Sequence, residues 1–216
     1  ALYNSSSNTW VLNWSALSWS LGLPTACQNV NLIIDRTAAT VAENVNINLD
    51  MNVSIRNLLM RNVSNTPFRI VFQIASPTTG AFDILIDGNC ILECPGGTVS
   101  NRFNRCSILN NGRTTVNGNL VLGRIPALTA SNEGHSSIGS GNATTATFPN
   151  QILTFFGDMT FNPRGFTVDE HTVFIFNKAG TQYIYNYTRP LVSDTSYPIL
   201  FEDLRIGTTN ATNLIM

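Results

Sequence analysis

Asp83 and Asp87 are the two carboxylates whose spacing most readily suggests chemistry. Successive side chains of an extended strand point to opposite faces, so Asp83, Leu85 and Asp87 share one face, opposite Phe82, Ile84 and Ile86. Two such carboxylates could act as a catalytic pair on a glycosidic bond or could hold a calcium ion. The sequence offers no third acidic residue nearby to complete such a site. An exposed strand face that keeps the chain in solution explains the same two aspartates. We therefore predict no catalytic residue and no metal site, with Asp83 and Asp87 only as weak metal candidates.

A second candidate site is a run of tyrosines at alternate positions, Tyr183, Tyr185 and Tyr187. In a strand these rings lie on one face at intervals of roughly 6.8 Å, because side chains alternate between the two faces. An exposed row of rings could stack against the apolar faces of sugars, which predicts a glycan-binding platform. Aromatic residues in strands also pack within cores, and in that arrangement Ile184 would be the exposed residue.

The two histidines, His135 and His171, give little support for catalysis. His171 follows Asp169 and Glu170, and these three residues together could bind a metal or transfer protons. A solvated turn explains them better, and neither histidine has a Gly-x-Ser-x-Gly nucleophile motif nearby. We predict that the chain is not an enzyme and requires no cofactor.

Four cysteines, Cys27, Cys90, Cys94 and Cys106, are candidates for two disulfides in an oxidising compartment. Their spacing lacks the repeated close pairs of structural zinc sites. Cys90 or Cys94 with Cys106 would close a short loop that is rich in turn-forming residues. Buried free thiols are the alternative, and the pairing is open at this point.

The composition restricts the class of partner. Charged residues make up 12% of the chain, the formal net charge is −1, and Lys178 is the only lysine. Binding of phosphates requires clustered lysine and arginine, so we predict no nucleic-acid partner. The longest apolar runs are far below the roughly 20 residues of a membrane-spanning helix, so we predict no membrane span. Low charge with abundant asparagine, threonine, serine and glycine is typical of extracellular β proteins, which predicts an extracellular location.

The elements that must position these residues are strands. At positions 45–55 every odd residue is apolar and every even one polar, so one side of an extended segment faces a core. The even positions are mostly asparagine, and stacked amides can hydrogen-bond along a pile of parallel strands. The predicted core residues here are Val45, Ile47, Leu49, Met51, Val53 and Ile55. Further strands are predicted at 29–34, 68–74, 82–87, 89–92, 115–122, 151–156, 159–161, 166–168, 172–176, 182–188, 199–201 and 204–206.

A turn followed by a short apolar strand recurs along the chain, at 87–92, 117–122, 156–161 and 201–206. Recurrence of one such unit at irregular intervals favours a parallel β-solenoid, or β-helix, in which each coil stacks on the previous one. No window has an apolar period near 3.6, so the chain is predicted to be all-β. A β-sandwich with Gly-Asn turns is the alternative fold.

The predicted organisation is an N-terminal cap at residues 1–28 followed by a solenoid body at 29–216. The three tryptophans, Trp10, Trp14 and Trp19, lie in the first part, where large rings could shield the open end of the core. Residues 126–150 are small and polar and predict a long surface loop on the body. The lack of a signal peptide and the apolar last residues lead us to expect a mature fragment from the front of a longer protein.

Residues 19–34, which read Trp-Ser-Leu-Gly-Leu-Pro-Thr-Ala-Cys-Gln-Asn-Val-Asn-Leu-Ile-Ile, and the Ala-Thr-Val at 39–41 resemble the opening of large secreted Bacteroidetes proteins. Those proteins begin with a Trp-Ser-x-Gly-x-Pro-Thr phrase and a short strand, followed by coils rich in asparagine and glycine. This chain departs from the pattern at Cys27 and Gln28, where an acidic pair is more usual.

The resemblance implies cargo of the type IX secretion system, which includes surface adhesins and gliding-associated proteins. We accordingly expect a non-enzymatic adhesin or stalk segment. Its expected partners are the secretion translocon during export and a glycan or other surface ligand. The alternatives are a polysaccharide-acting β-helix enzyme, a phage tailspike on the same fold, and a carbohydrate-binding β-sandwich module.

Overall fold

The computed structural model describes residues 2–6, 9–19, 23, 28–34, 43–62, 71–75, 81–93, 105–123, 135–139, 151–161, 166–167, 172–186, 203–209 and 211–216. In these ranges the regular elements are strands, apart from one turn of 3-10 helix at Trp14–Ala16. No helix in the same ranges has the length and apolar character needed to cross a membrane. The strands are β1 (Leu2–Asn4), β2 (Thr9–Asn13), β3 (Gln28–Ile34), β4 (Asn44–Asn48), β5 (Val53–Asn62), β6 (Val71–Ala75), β7 (Ile84–Ile86), β8 (Cys90–Glu93), β9 (Arg105–Leu109), β10 (Arg113–Val116), β11 (Leu120–Leu122), β12 (His135–Gly139), β13 (Gln151–Phe155), β14 (Met159–Phe161), β15 (Phe166–Thr167), β16 (Thr172–Phe176), β17 (Gly180–Asn186), β18 (Asp203–Ile206) and β19 (Thr212–Ile215).

The strands form three faces of a coil. The first face contains β2, β4, β6, β9, β12 and β15 in that order, with β1 at its outer edge. The second face runs from the beginning of β5 through β7, β10, β13 and β16 to β18. The third face runs from β3 and the end of β5 through β8, β11, β14 and β17 to β19. Neighbours within each face pair in parallel, so each turn of the chain lies on the previous turn.

This architecture is a parallel β-solenoid, and the fold predicted from the recurring turn-and-strand unit is confirmed. Among the described strands, only β1 and β2 pair antiparallel. A β-sandwich consists of two facing antiparallel sheets, so the alternative fold is wrong. Strands that neighbour one another in sequence, such as β6, β7 and β8, lie on different faces.

The core lies inside the coil and receives alternate residues from all three faces. The alternation at 45–55 continues through a corner, because β4 ends at Asn48 and β5 begins at Val53. Leu49 still points inward at that corner and is fully buried. The alternation at 45–55 therefore belongs to two strands and the corner between them, and not to one long strand. The predicted core residues are buried or pack against the core: Val45, Ile47, Leu49, Met51, Val53 and Ile55.

Trp14 and Trp19 pack at the N-terminal end of this core. Trp14 is fully buried and Trp19 packs against the core, with their ring centroids 4.8 Å apart. Trp10 faces outward beside Tyr3, at a centroid distance of 4.9 Å. β2 already pairs in parallel with β4, so the first strand of the coil lies within residues 1–28. The boundary between cap and body stays a prediction.

Two predicted segments differ from the structure. Residues 126–150, expected to be one surface loop, contain β12, which pairs with β9 and β15 and buries Ile138. Backbone hydrogen bonds to both neighbours stabilise this strand of mostly small residues, whose side chains carry little strand signal. The strand predicted at 115–122 is two strands, β10 and β11, with a corner between them. The strand predicted at 199–201 lies outside the described residues.

Candidate functional site

The corner between the second and third faces has a glycine in each of three successive coils, at Gly88, Gly118 and Gly157. The amide of Gly118 donates to the carbonyl oxygen of Gly88 at 2.8 Å, and the amide of Gly88 donates to the carbonyl oxygen of Arg56 at 2.5 Å. A Cβ atom on Gly118 would lie 2.5 Å from the carbonyl carbon and oxygen of Gly88. Only glycine allows this approach, so the backbones of successive coils stack here without side chains between them.

The residue after each of these glycines continues a ladder of side-chain acceptors. The Asn57 Oδ1 atom accepts from the backbone amide of Asn89 at 2.9 Å, and the Asn89 Oδ1 atom accepts from that of Asn119 at 2.8 Å. The Asn119 Oδ1 atom accepts in turn from the amide of Asp158 at 2.9 Å. Side-chain amides therefore bond from coil to coil at this corner, as expected of stacked asparagines, and Asn52, on the coil next to β7, bonds in the same way to the amide of Asp83. The ladder at the corner fixes the register of the third face.

The ladder ends on an acidic residue that positions a tyrosine. The Asp158 Oδ1 atom accepts from the backbone amide of Tyr183 at 3.0 Å and from the Lys178 ammonium at 2.8 Å. The Asp158 and Lys178 side chains are both partly exposed, so their ion pair adds little to stability. The main role of Asp158 is to set the geometry, because its hydrogen bond to the amide of Tyr183 holds β17 in register with the preceding coil.

Tyr183 and Tyr185 lie on the outside of β17, and Ile184 between them is buried. The two rings stack with a centroid distance of 5.6 Å and an interplanar angle of 16°. Tyr185 is 49% exposed, whereas Ile184 is only 6% exposed. Of the two arrangements open to this sequence, the structure has the tyrosines outside. Tyr187 lies outside the described side chains.

Gln182 anchors the same strand from inside the coil and was not predicted from the sequence. Its side chain is fully buried, and the Nε2 atom donates to the carbonyl oxygens of Phe155 at 3.2 Å and Gly157 at 2.5 Å. Its Oε1 atom accepts from the backbone amide of Lys178 at 3.2 Å. A buried amide with these partners connects the corner of one coil to the next. Its position opposite the tyrosines in the alternation is the only sequence signal that it faces inward.

Asp83 and Asp87 flank β7 on its outer side. Both are exposed and Leu85 is partly buried, while Ile84 and Ile86 face the core, as the alternation predicts. Four residues of extended chain separate the two aspartates by about 13 Å. That spacing exceeds the roughly 5 to 9.5 Å between the paired carboxyl groups of glycosidases.

Each of these aspartates bonds to the next coil instead. The Asp83 Oδ1 atom accepts from the backbone amide of Arg113 at 3.0 Å, and Asn52 accepts from the amide of Asp83 at 2.9 Å. The Asp87 Oδ1 atom accepts from the side-chain amide of Asn117 at 3.0 Å. These contacts give both aspartates a role in aligning the coils.

The metal candidates are not brought together. Within the described ranges, no group of three or more histidine, cysteine, aspartate or glutamate side chains is placed to hold a metal ion. His135 is the first residue of β12. Asp169, Glu170 and His171 lie outside the described residues.

In the part of the chain that the structure describes, the exterior of the coil thus carries a stacked tyrosine pair and columns of polar side chains that bond from coil to coil. No family model, curated protein or solved structure matches this chain. Inference about function therefore rests on the side chains that the coil presents to solvent.

The predicted disulfides that involve Cys90 or Cys106 are wrong. Both residues are buried free thiols, one on β8 of the third face and the other on β9 of the first face. Strand alternation directs each of them into the core, where a cysteine packs as a small apolar residue. Cys27 and Cys94 lie outside the described residues.

Stability is expected to fall at alkaline pH because of Cys90. Burial raises the pKa of the Cys90 thiol well above its ordinary value of 9.0, and interaction with Cys106 raises it further. The folded chain therefore keeps a proton that the unfolded chain loses, so this contribution is complete below the ordinary pKa and is lost above it. The loss approaches about 1.4 kcal/mol per pH unit.

Urea unfolding from neutral to alkaline pH checks this prediction. The free energy of unfolding should decline more steeply for the wild type than for Cys90→Ala. Parallel declines in the two proteins would contradict it.

Proposed function

We propose that this chain is a rigid, non-enzymatic segment of a large secreted bacterial surface protein, acting as an adhesin or stalk that binds glycans. Its export follows a type IX-like route, with the secretion translocon as a partner during export and an extracellular, cell-surface location afterwards. The likeness of residues 19–41 to Bacteroidetes surface proteins supports this route. The stacked coils support the mechanical part, because each coil braces the next.

The observation that carries the glycan-binding part is the outward pair of Tyr183 and Tyr185. Tyr183 is fixed through its backbone by Asp158, and its ring stacks on that of Tyr185. Aromatic rings that are ordered before binding lose little conformational entropy when a sugar stacks on them. A single platform of this size binds weakly. Several such segments in one surface protein would multiply the contact through effective concentration.

Replacing Tyr185 by alanine is expected to weaken glycan binding roughly three- to tenfold, the loss of one aromatic stacking contact. A glycan array identifies a bound sugar, and calorimetry then compares the two proteins. Tyr3→Ala is the matched control, because Tyr3 is 44% exposed and packs at a tilted angle against Trp10, far from β17 along the coil. This control should bind as the wild type does.

Three outcomes would contradict the proposal. Equal affinities of the wild type and Tyr185→Ala would remove the tyrosine pair from the binding site. A wild-type chain that binds no glycan would remove the adhesive role. Release of reducing ends from a polysaccharide, abolished in Asp83→Asn, would show an enzyme in place of a binding segment.

A further inference from the structure

The outer surface of the second face contains a depression of about 410 Å³. It lies across β5, β7 and β10, so three consecutive coils contribute to it. Val53 and Ile84 form part of its floor. The outward side chains that line it are Asn52, Ser54, Asp83, Leu85, Arg113 and Thr115.

Leu85 lies at the centre of this surface. The strand register places Ser54 and Thr115 on either side of it, each about 4.8 Å away across the sheet. Asp83 and Asp87 precede and follow it on β7, each roughly 6.8 Å away along the strand. One partly buried apolar side chain is therefore enclosed by polar neighbours. The four diagonal positions are also polar: Asn52, Arg56, Arg113 and Asn117.

The charges around Leu85 balance. Arg56 and Arg113 are opposed by Asp83 and Asp87, and all four side chains are exposed. Within the described part of the chain, neither guanidinium forms an ion pair or a hydrogen bond. Each aspartate uses its Oδ1 atom in a bond between coils. The strand register therefore places both arginines and both aspartates around Leu85, and among the described residues their guanidinium groups and second carboxylate oxygens have no partner that would compete with a ligand.

We propose that this depression binds one unit of a neutral saccharide. A pyranose has an apolar face of C–H groups, which fits Leu85, and a rim of hydroxyl groups that both donate and accept hydrogen bonds. The carboxylate of Asp83, which lines the depression, accepts from hydroxyl groups, and the guanidinium of Arg113 donates to them. A surface with balanced charges favours an uncharged sugar over a uronate or a phosphate.

This site is distinct from the tyrosine pair. Leu85 lies on the second face, whereas Tyr185 lies on the third face. The inference extends glycan binding to a second position in the same chain, and neither position depends on the other.

The test is a titration of the isotope-labelled chain, followed by the amide resonances in NMR. The probes are glucose, mannose and galactose tetrasaccharides, with a glucuronate tetrasaccharide for comparison. We expect one neutral probe to shift the amides of Ser54, Leu85 and Thr115. Arg113→Ala should weaken this binding about tenfold, the loss of a hydrogen bond from a charged donor.

Arg205→Ala is the matched control. Arg205 is an exposed arginine of the same face, paired with Asp203 outside the depression, and its removal should leave the affinity unchanged. The inference is overturned if no neutral probe shifts these amides, if the glucuronate binds more tightly than every neutral probe, or if Arg113→Ala binds like the wild type. If the tyrosine site does not bind, the amides of Tyr183 and Tyr185 will not shift, whatever happens at Leu85. The spectra therefore distinguish failure of one site from failure of the other.

Discussion

Replacing Gly118 by alanine will lower the melting temperature of the chain by about 10 °C. The added Cβ atom would lie 2.5 Å from the carbonyl of Gly88 and 2.6 Å from the Asn89 Oδ1 atom, closer than real Cβ atoms approach other heavy atoms. Neighbouring backbones are held there by the ladder and cannot separate locally. Overpacking of this kind costs about 3 kcal/mol. Calorimetry or circular dichroism during heating measures the change.

Gly180→Ala is the control for this substitution. Gly180 has a φ of +86°, but no heavy atom lies within 4 Å of where its Cβ would be. Alanine there costs only the left-handed backbone preference, about 1 kcal/mol. If both variants melt at the same temperature, contact between stacked glycines does not determine stability at the corner.

Replacing Gln182 by methionine will destabilise the chain by about 3 kcal/mol, although the side-chain volume hardly changes. The carbonyl oxygen of Gly157 and the amide of Lys178 lose their hydrogen bonds to this side chain. Buried polar groups without partners cost about 1 to 3 kcal/mol each. The free energy of unfolding in urea measures this loss.

Thr181→Met is the matched control for Gln182→Met. It introduces the same side chain one position earlier on β17, at a partly exposed position. Its free energy of unfolding should stay within about 0.5 kcal/mol of the wild type, as is usual for surface substitutions. Equal losses in the two variants would mean that methionine, and not the missing hydrogen bonds, disturbs the strand.

The recurring turn-and-strand unit predicted much of the fold because one corner imposes the same requirements on every coil. The units at 87–92, 117–122 and 156–161 lie on one another, each with a glycine at the crowded point and an inward apolar residue beyond it. The unit at 201–206 behaves differently, since its strand β18 pairs with β16 on the second face. Local sequence identifies a strand after a turn, but the face on which it lies is set by the coil below.

The candidate sites were less predictable because they depend on register between coils. Alternation placed Tyr183 and Tyr185 together, but both faces of β17 are apolar enough to enter a core. The pairing of Ile184 with the buried Met159 decides which face turns inward. Alternation placed Asp83 and Asp87 beside Leu85, but its neighbours on the adjacent coils were not predicted, because residues about 30 positions apart meet there only through stacking. The sequence likewise could not decide between disulfides and free thiols for Cys90 and Cys106, because that depends on where the coil places their two strands.

The ladder at the corner has one further consequence, for how such a chain changes over evolutionary time. Its successive members, from Asn57 through Asn89, Asn119 and Asp158 to Tyr183, are 32, 30, 39 and 25 residues apart in sequence. The bonds keep nearly the same length despite these unequal connections, and longer connections cost little entropy. Insertions and deletions in the connections between the strands thus leave the alignment of the sheets intact. A lineage can gain or trim its peripheral segments while inheriting the same interior.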